Sequence, residues 1–199
     1  MSTLRDKKKA RTRETLIRVA MQLFLKQGYE ETTIDQIAEA AGVGRRTFFR
    51  YFASKDLLLS SFQEGYVEEF RTAFRKSDPQ RKPMDRFYDA FKDVARSVMA
   101  NAEEMLLMRR LVESSSSLIA LDVALDQNIR AEVELILREC FADFDIPDLH
   151  IHILAAALFS AYQVAFNAWI ASAGQEDFVA LGVQALSVVE KGAWTTYLS

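Results

Sequence analysis

Only three prolines interrupt the 199-residue chain, Pro79, Pro83 and Pro147, and the apolar residues between them recur at three- and four-residue spacings. That is the periodicity of helices with one buried face. No stretch alternates apolar and polar residues between turn signals, as a half-buried strand does. The chain is therefore expected to be all-α, with about nine helices. The first is predicted over about Asp6–Lys26, with Leu16, Ile17, Ala20, Leu23 and Phe24 on one stripe and Gly28 just past its end. A second starts near Thr33, where Gln36 follows at capping-box spacing. A third spans about Arg45–Phe52 and a fourth about Lys55–Lys76. After the linker from Ser77 to Pro83, helices are predicted to about Ala100, then over Glu103–Glu113, Leu118–Phe141, Asp148–Ser172 and Gln175–Tyr197. The run Ser114–Ser117 is expected to break the chain direction, as is the stretch around Pro147.

Half the residues are apolar and 27% are charged, which suits a soluble globular protein. Charge is divided unevenly along the chain. Residues 1–55 carry 12 Lys and Arg against 6 Asp and Glu, a balance of +6, while residues 56–199 carry 13 against 22, a balance of −9. The net −3 thus conceals a basic head on an acidic body, and a basic head suits a polyanionic partner. The single cysteine, Cys140, excludes an internal disulfide and a cysteine-based zinc site. A buried thiol in a reducing cytoplasm is expected. Arg18 and Gln22 interrupt the first apolar run, and no small-residue cleavage pattern follows, which argues against a signal peptide. The other long apolar stretch, Ile151–Ala173, approaches membrane-span length. It contains His152, Ser160, Gln163 and Asn167, so a helix buried on more than one side is expected and no membrane partner.

The most informative stretch is AGVGRRTFFRYFASK, residues 41–55. A helix, a glycine-bracketed turn and a short helix have helix-turn-helix spacing. Ala38 is small where the two helices approach, Gly42 suits a left-handed turn position, and Val43 and Phe48 can fill the space between. Phe48 and Phe52 share one face, toward a core, while Arg45, Arg46, Phe49 and Arg50 fall on the others. The N-terminal part of such a recognition helix enters the major groove, and arginine is the favoured partner of guanine O6 and N7. Arg45 and Arg46 are the base-reading candidates. Thr33 and Lys55 begin the flanking helices, whose free backbone N–H groups suit phosphate.

The region Arg13–Leu59 resembles the TetR family of bacterial one-component regulators. The resemblance rests on Gly28–Tyr29 after an apolar helix, Thr33 with Ile37–Ala38, the turn Gly42–Val43, Thr47 in the recognition helix, and Phe52 with Lys55. It implies a helix-turn-helix DNA-binding domain over 1–54 and a helical ligand-binding and dimerisation domain over 55–199. It also implies a cytoplasmic homodimer that binds double-stranded palindromic operator DNA and is released by a small-molecule effector. By matching position, Thr33, Arg45, Thr47, Phe49, Tyr51 and Lys55 inherit contact with DNA. Three positions depart from the family pattern. Gly44 stands where Ser or Ala is usual and donates no side-chain contact. Arg46 stands where Gly is frequent and must reach outward. Phe49 stands where Tyr is frequent and lacks the hydroxyl, leaving apolar contact, for instance to a thymine methyl.

The last two helices are rich in apolar and small residues, including Ala155, Ala161, Ala165, Val179, Leu186 and Val189. That surplus, together with the resemblance, predicts the dimer contact there. An effector pocket is expected among the fourth to eighth helices, with candidate lining residues Phe62, Tyr66, Phe70, Phe87, Phe91, Met99, Met105, Met108, Tyr162, Phe166 and Trp169. The excess of Phe and Met suits an apolar or amphipathic ligand. Arg109 and Arg110 can meet an acidic group, although solvated arginine is the commoner role. His150 and His152 lie two apart on a helix and do not share a face, so no metal is expected, nor a cofactor. No phosphate loop, nucleophile elbow or carboxylate motif points to an enzyme. The competing reading is a small-molecule binding or catalytic helical protein whose basic head is a remnant.

Overall fold

A computed structural model describes residues 4–114, 116–142 and 145–192. All regular structure among them is helical, in the order α1 Leu4–Gln27, α2 Ile34–Ala40, α3 Arg45–Tyr51, α4 Lys55–Lys76, α5 Pro83–Ala100, α6 Ala102–Glu113, α7 Ser116–Cys140, α8 Asp148–Ala171 and α9 Phe178–Lys191. The all-α expectation holds, and most boundaries fall within two residues of those read from sequence. The clearest difference is α9. It starts at Phe178 rather than Gln175, because Asp177 caps it, its Oδ1 accepting from the backbone N–H groups of Val179 (2.9 Å) and Ala180 (3.2 Å). The expected continuation of that helix to Tyr197 lies outside the described residues. α7 starts at Ser116, two residues before the predicted Leu118.

Backbone proximity divides the chain into two compact units, residues 1–65 with 107–122, and residues 66–106 with 123–199. The first unit thus takes in more chain than the 1–54 expected from sequence. The division falls inside α4, α6 and α7.

In the first unit, α2 packs on both α1 and α3. Its core gathers Leu16, Ala20, Phe24, Tyr29, Ile37, Ala38, Phe48, Phe52, Leu58 and Leu59, together with Leu107, Met108, Leu111 and Leu118. The α1 stripe predicted from helical spacing is thus the buried one at Leu16, Ala20 and Phe24, while Ile17 and Leu23 pack partly buried beside it.

In the second unit, α9 packs against α8 and α5. Rings fill the interior. Phe178, the first residue of α9, lies 5.7 Å from Phe91, 5.7 Å from Phe166 and 5.6 Å from Trp169 between ring centroids. Tyr162 and Phe166 stack at 5.9 Å, and Phe70 meets Phe87 edge-on at 4.9 Å. Gly182 lies so close to Phe91 that a Cβ there would come within 1.9 Å of the ring. α8 buries Ile151, Ala155, Leu158, Phe159, Ala161, Ala165 and Trp169. By length and composition it is apolar enough to cross a membrane. The expectation of burial on more than one side is corrected for the single chain. Leu149, Ile153 and Val164 remain exposed along the other side of α8. Cys140 is half-buried, and burial pushes its thiol pKa up to about 11.

Candidate nucleic-acid interface

The turn before α3 is built by the backbone. Gly42 has φ +68°, a left-handed conformation that a side chain resists. Its N–H donates to Glu39 O and the N–H of Val43 to Ala38 O, both at 2.9 Å. This is the paired closure of a Schellman motif, and it satisfies carbonyls that α2 would otherwise leave open. Gly44 then caps α3 in an extended conformation without a side-chain bond, and its carbonyl accepts from the N–H groups of Thr47 (2.7 Å) and Phe48 (3.2 Å). At the other end Phe52 leaves the helix, extended at φ −138°.

With α3 anchored so, its two sides separate. Phe48 is fully buried and Phe52 nearly so, their centroids 5.9 Å apart. Arg45, Arg46 and Arg50 are exposed, and Phe49 is 44% exposed. Thr47 and Tyr51 are half-buried. The Arg50 guanidinium lies 5.3 Å from the Tyr51 ring centroid. Arg45 pairs with Asp35 of α2, Nη1 to Oδ2 at 2.6 Å, and its guanidinium lies 5.4 Å from the Phe49 ring. Of these two partners, Asp35 was not singled out from sequence. Asp35 lies ten residues away on another helix, where no local spacing rule links the two.

Thr33 is the N-cap of α2 in a complete capping box. Its Oγ1 accepts from Gln36 N–H at 3.3 Å, and its own N–H donates to Gln36 Oε1 at 2.8 Å. Gln36 Oε1 also accepts from Gln27 Nε2 at 3.0 Å, which ties the end of α1 to the start of α2.

Lys55 occupies an inward position. Its ammonium donates to the carbonyls of Tyr29 (2.7 Å), Thr32 (3.3 Å) and Glu30 (3.4 Å), and it lies 4.1 Å from the Tyr29 ring centroid. An ammonium has three N–H donors, so these carbonyls use them all. The Tyr29 hydroxyl in turn donates to the Asp56 carboxylate. Burial, and then the Asp56 carboxylate, push the Tyr29 pKa well above the ordinary tyrosine value. Tyr29, Lys55 and Asp56 therefore clasp the α1–α2 turn to the first turn of α4.

The residues expected to line an effector pocket divide between the two units. Phe62 and Met108 belong with the core of the first unit. In the second unit Phe87, Phe91, Met105 and Trp169 are buried, and Tyr66, Phe70, Met99, Tyr162 and Phe166 are half-buried. The Trp169 indole N–H is buried with no acceptor among the described residues. Burial pushes the Tyr66 hydroxyl up to about 12. Arg109 is occupied within the first unit, its Nε on Glu113 at 2.9 Å and its Nη1 on Asp122 at 3.2 Å, while Arg110 is exposed. His150 and His152 are exposed, and His152 Nδ1 lies 2.8 Å from Glu134 Oε2.

These features define a helix-turn-helix head carried by an all-α protein. Residues 16–62 match the family described as bacterial regulatory proteins, tetR family. That match spans the head, from within α1 to the first half of α4. The chain is 41% identical over 123 residues to the HTH-type transcriptional regulator TcmR of Streptomyces glaucescens, a match that covers 59% of this chain and 54% of that relative. The chain thus spans about half the length of that relative. Among solved structures it resembles Thermus thermophilus FadR in complex with lauroyl-CoA, at TM-score 0.62 and 24% identity, covering 90% of this chain and 94% of that one. It likewise resembles Pseudomonas aeruginosa NalD, described as the secondary repressor of the MexAB-OprM multidrug efflux pump, at TM-score 0.65 and 20% identity, covering 92% and 96%. At those identities the structural likeness speaks for the fold.

Proposed function

We propose that the protein is a sequence-specific DNA-binding transcriptional regulator, a repressor that a small apolar or amphipathic effector releases from a palindromic operator. The observation that carries this reading is the division of α3, with Phe48 and Phe52 buried on one side and Arg45, Arg46, Phe49 and Arg50 exposed on the others. Arg45 and Arg46 read base edges from the start of the recognition helix. Thr33, Thr47 and Tyr51 meet the phosphates, and Phe49 offers apolar contact to a thymine methyl. Lys55 contributes the N-terminus of α4, while its ammonium braces the head.

The working unit is a homodimer through α8 and α9, acting in the cytoplasm, with two heads on half-sites about 34–36 Å apart. The exposed apolar side of α8 supports this pairing. The effector interior is the ring cluster of the second unit, where the unpaired Trp169 N–H suits a polar atom of a ligand. The lauroyl-CoA bound to T. thermophilus FadR is a ligand of the proposed amphipathic kind.

Selection from a randomised duplex library tests the reading. Purified protein is expected to enrich one palindrome. For about 6–10 neutralised phosphates, the logarithm of its affinity should fall with the logarithm of salt at a slope of about −5 to −9. An affinity indifferent to salt would remove this mode of binding. It would favour the alternative, a small-molecule protein with a vestigial head.

A further inference from the structure

Arg45 is the one cation of the recognition helix held from two directions by groups outside its own turn of backbone. Asp35 takes Nη1 at 2.6 Å, and the guanidinium lies over the Phe49 ring with 5.4 Å from Cζ to the centroid. A guanidinium has five N–H groups in one plane. With Nη1 on Asp35, the edge formed by Nε and Nη2 makes no hydrogen bond among the described residues. That edge carries two parallel N–H groups, the fork that matches guanine O6 and N7. Both partners of the ion pair are well exposed, at 60% and 63%, so the pair adds little to folding stability. Its consequence is geometric. An arginine with several free rotors otherwise loses side-chain entropy on meeting a base, and one already held loses less. Asp35 also sets a negative charge beside the surface that would face phosphate, which disfavours binding wherever Arg45 finds no guanine to repay the approach.

We infer that Asp35 is a specificity-positioning residue. Through its ion pair, and with the Phe49 ring as platform, it holds the Nε–Nη2 edge of Arg45 for a bidentate contact with one guanine per operator half-site. This rests on the DNA-binding reading above. Asp35 acts through Arg45 and makes no base contact of its own.

The test uses full-length protein and a randomised duplex library at fixed salt, with wild type, Asp35→Asn, Arg45→Ala and the double variant. Circular dichroism confirms the helical content of each. Wild type is expected to enrich a guanine at one position in each half-site. Asp35→Asn should lower that preference about two- to fivefold, the worth of an exposed ion pair, while affinity for non-specific duplex stays equal or rises. Arg45→Ala should abolish the preference, and adding Asp35→Asn to it should change nothing further, since the two residues act as one unit. Asp35→Ser, which also lacks the charge, should behave as Asp35→Asn does. Three results would overturn the inference: an unchanged guanine preference in Asp35→Asn, an equal loss with and without Arg45, or the loss of a cytosine preference at another position, which would make Asp35 a base reader. A wild type that enriches no sequence would instead remove the DNA-binding reading, and this inference with it.

Discussion

Gly182 shows how one residue can be governed by what lies across from it rather than by its own helix. It sits inside α9, where glycine is about 1 kcal/mol less favourable than alanine. Propensity alone therefore predicts that Gly182→Ala stabilises. Packing predicts the reverse. A methyl group would fall within 1.9 Å of the Phe91 ring, and that ring is itself buried against Phe178. Displacing a confined ring costs more than the backbone gains, so Gly182→Ala should destabilise by about 1–3 kcal/mol in urea denaturation. A stabilised variant would show that the Phe91 ring yields freely. Ala173 illustrates the converse at the end of α8. It adopts φ +54° where glycine is usual, with its N–H on Ile170 O and the N–H of Gly174 on Trp169 O. Closure of the helix end holds a residue that has no intrinsic preference for that conformation.

Two elements owe their roles to contacts at their ends or sides. α4 begins in the clasp of Tyr29, Lys55 and Asp56, and that clasp gives stability an alkaline limit. The Tyr29 hydroxyl is held neutral by burial and by Asp56, so its folded pKa lies above the unfolded value of 10.0. Below that value both states carry the proton and the contribution is complete. Above it the unfolded chain releases a proton that the folded chain retains, so stability falls as pH rises. The urea midpoint of wild type should therefore drop between about pH 9.5 and 11.5 more steeply than that of Tyr29→Phe, which has no hydroxyl to titrate. Parallel curves would show that the clasp does not govern the titration of Tyr29. α8, by contrast, carries its proposed dimer contact on an exposed side. Val164 is 66% exposed and Ile153 57% exposed, whereas Ala161 faces inward. Val164→Glu should leave helical content intact and give monomers in sedimentation. A charge at Ala161 should instead disrupt the fold itself, because it would be buried unpaired. Dimers that persist in both Val164→Glu and Ile153→Glu would place the dimer contact elsewhere.

For the whole molecule, the proposed reading puts DNA on the basic head and the effector in the ring-lined interior of the second unit, and thermodynamics then links them. An effector can shift DNA affinity only by its differential affinity for the two states, typically about 1–3 kcal/mol. The linkage is reciprocal, so operator DNA must weaken effector binding by the same factor, about 5–150-fold. α4 offers a physical route, because the helix that starts in the Lys55 clasp also carries Tyr66 and Phe70. Calorimetric titration of a long-chain acyl-CoA, as a first probe, with and without selected operator should show this reciprocal weakening. Equal affinities would mean that a ligand bound there is no inducer.

The sequence by itself determined the helical class, the helix-turn-helix and the inward and outward sides of α3. Those features rest on local rules: a Thr33–Gln36 capping box, a left-handed glycine at position 42, and phenylalanines four apart at Phe48 and Phe52. Each involves residues within a few positions of one another, so spacing encodes them. Only the tertiary structure decided that Asp35 holds Arg45, that the Lys55 ammonium turns inward onto the Tyr29, Glu30 and Thr32 carbonyls, and that Phe62 and Met108 pack with the core of the first unit. It also decided that Phe178 and Ala161 point into the second unit while Val164 points out. These depend on which distant segments meet and on how each helix is rotated about its axis. On α8 the exposed side mixes Leu149, Ile153 and Val164 with Ser160 and Asn167, so apolar spacing alone does not declare that rotation and its neighbours set it.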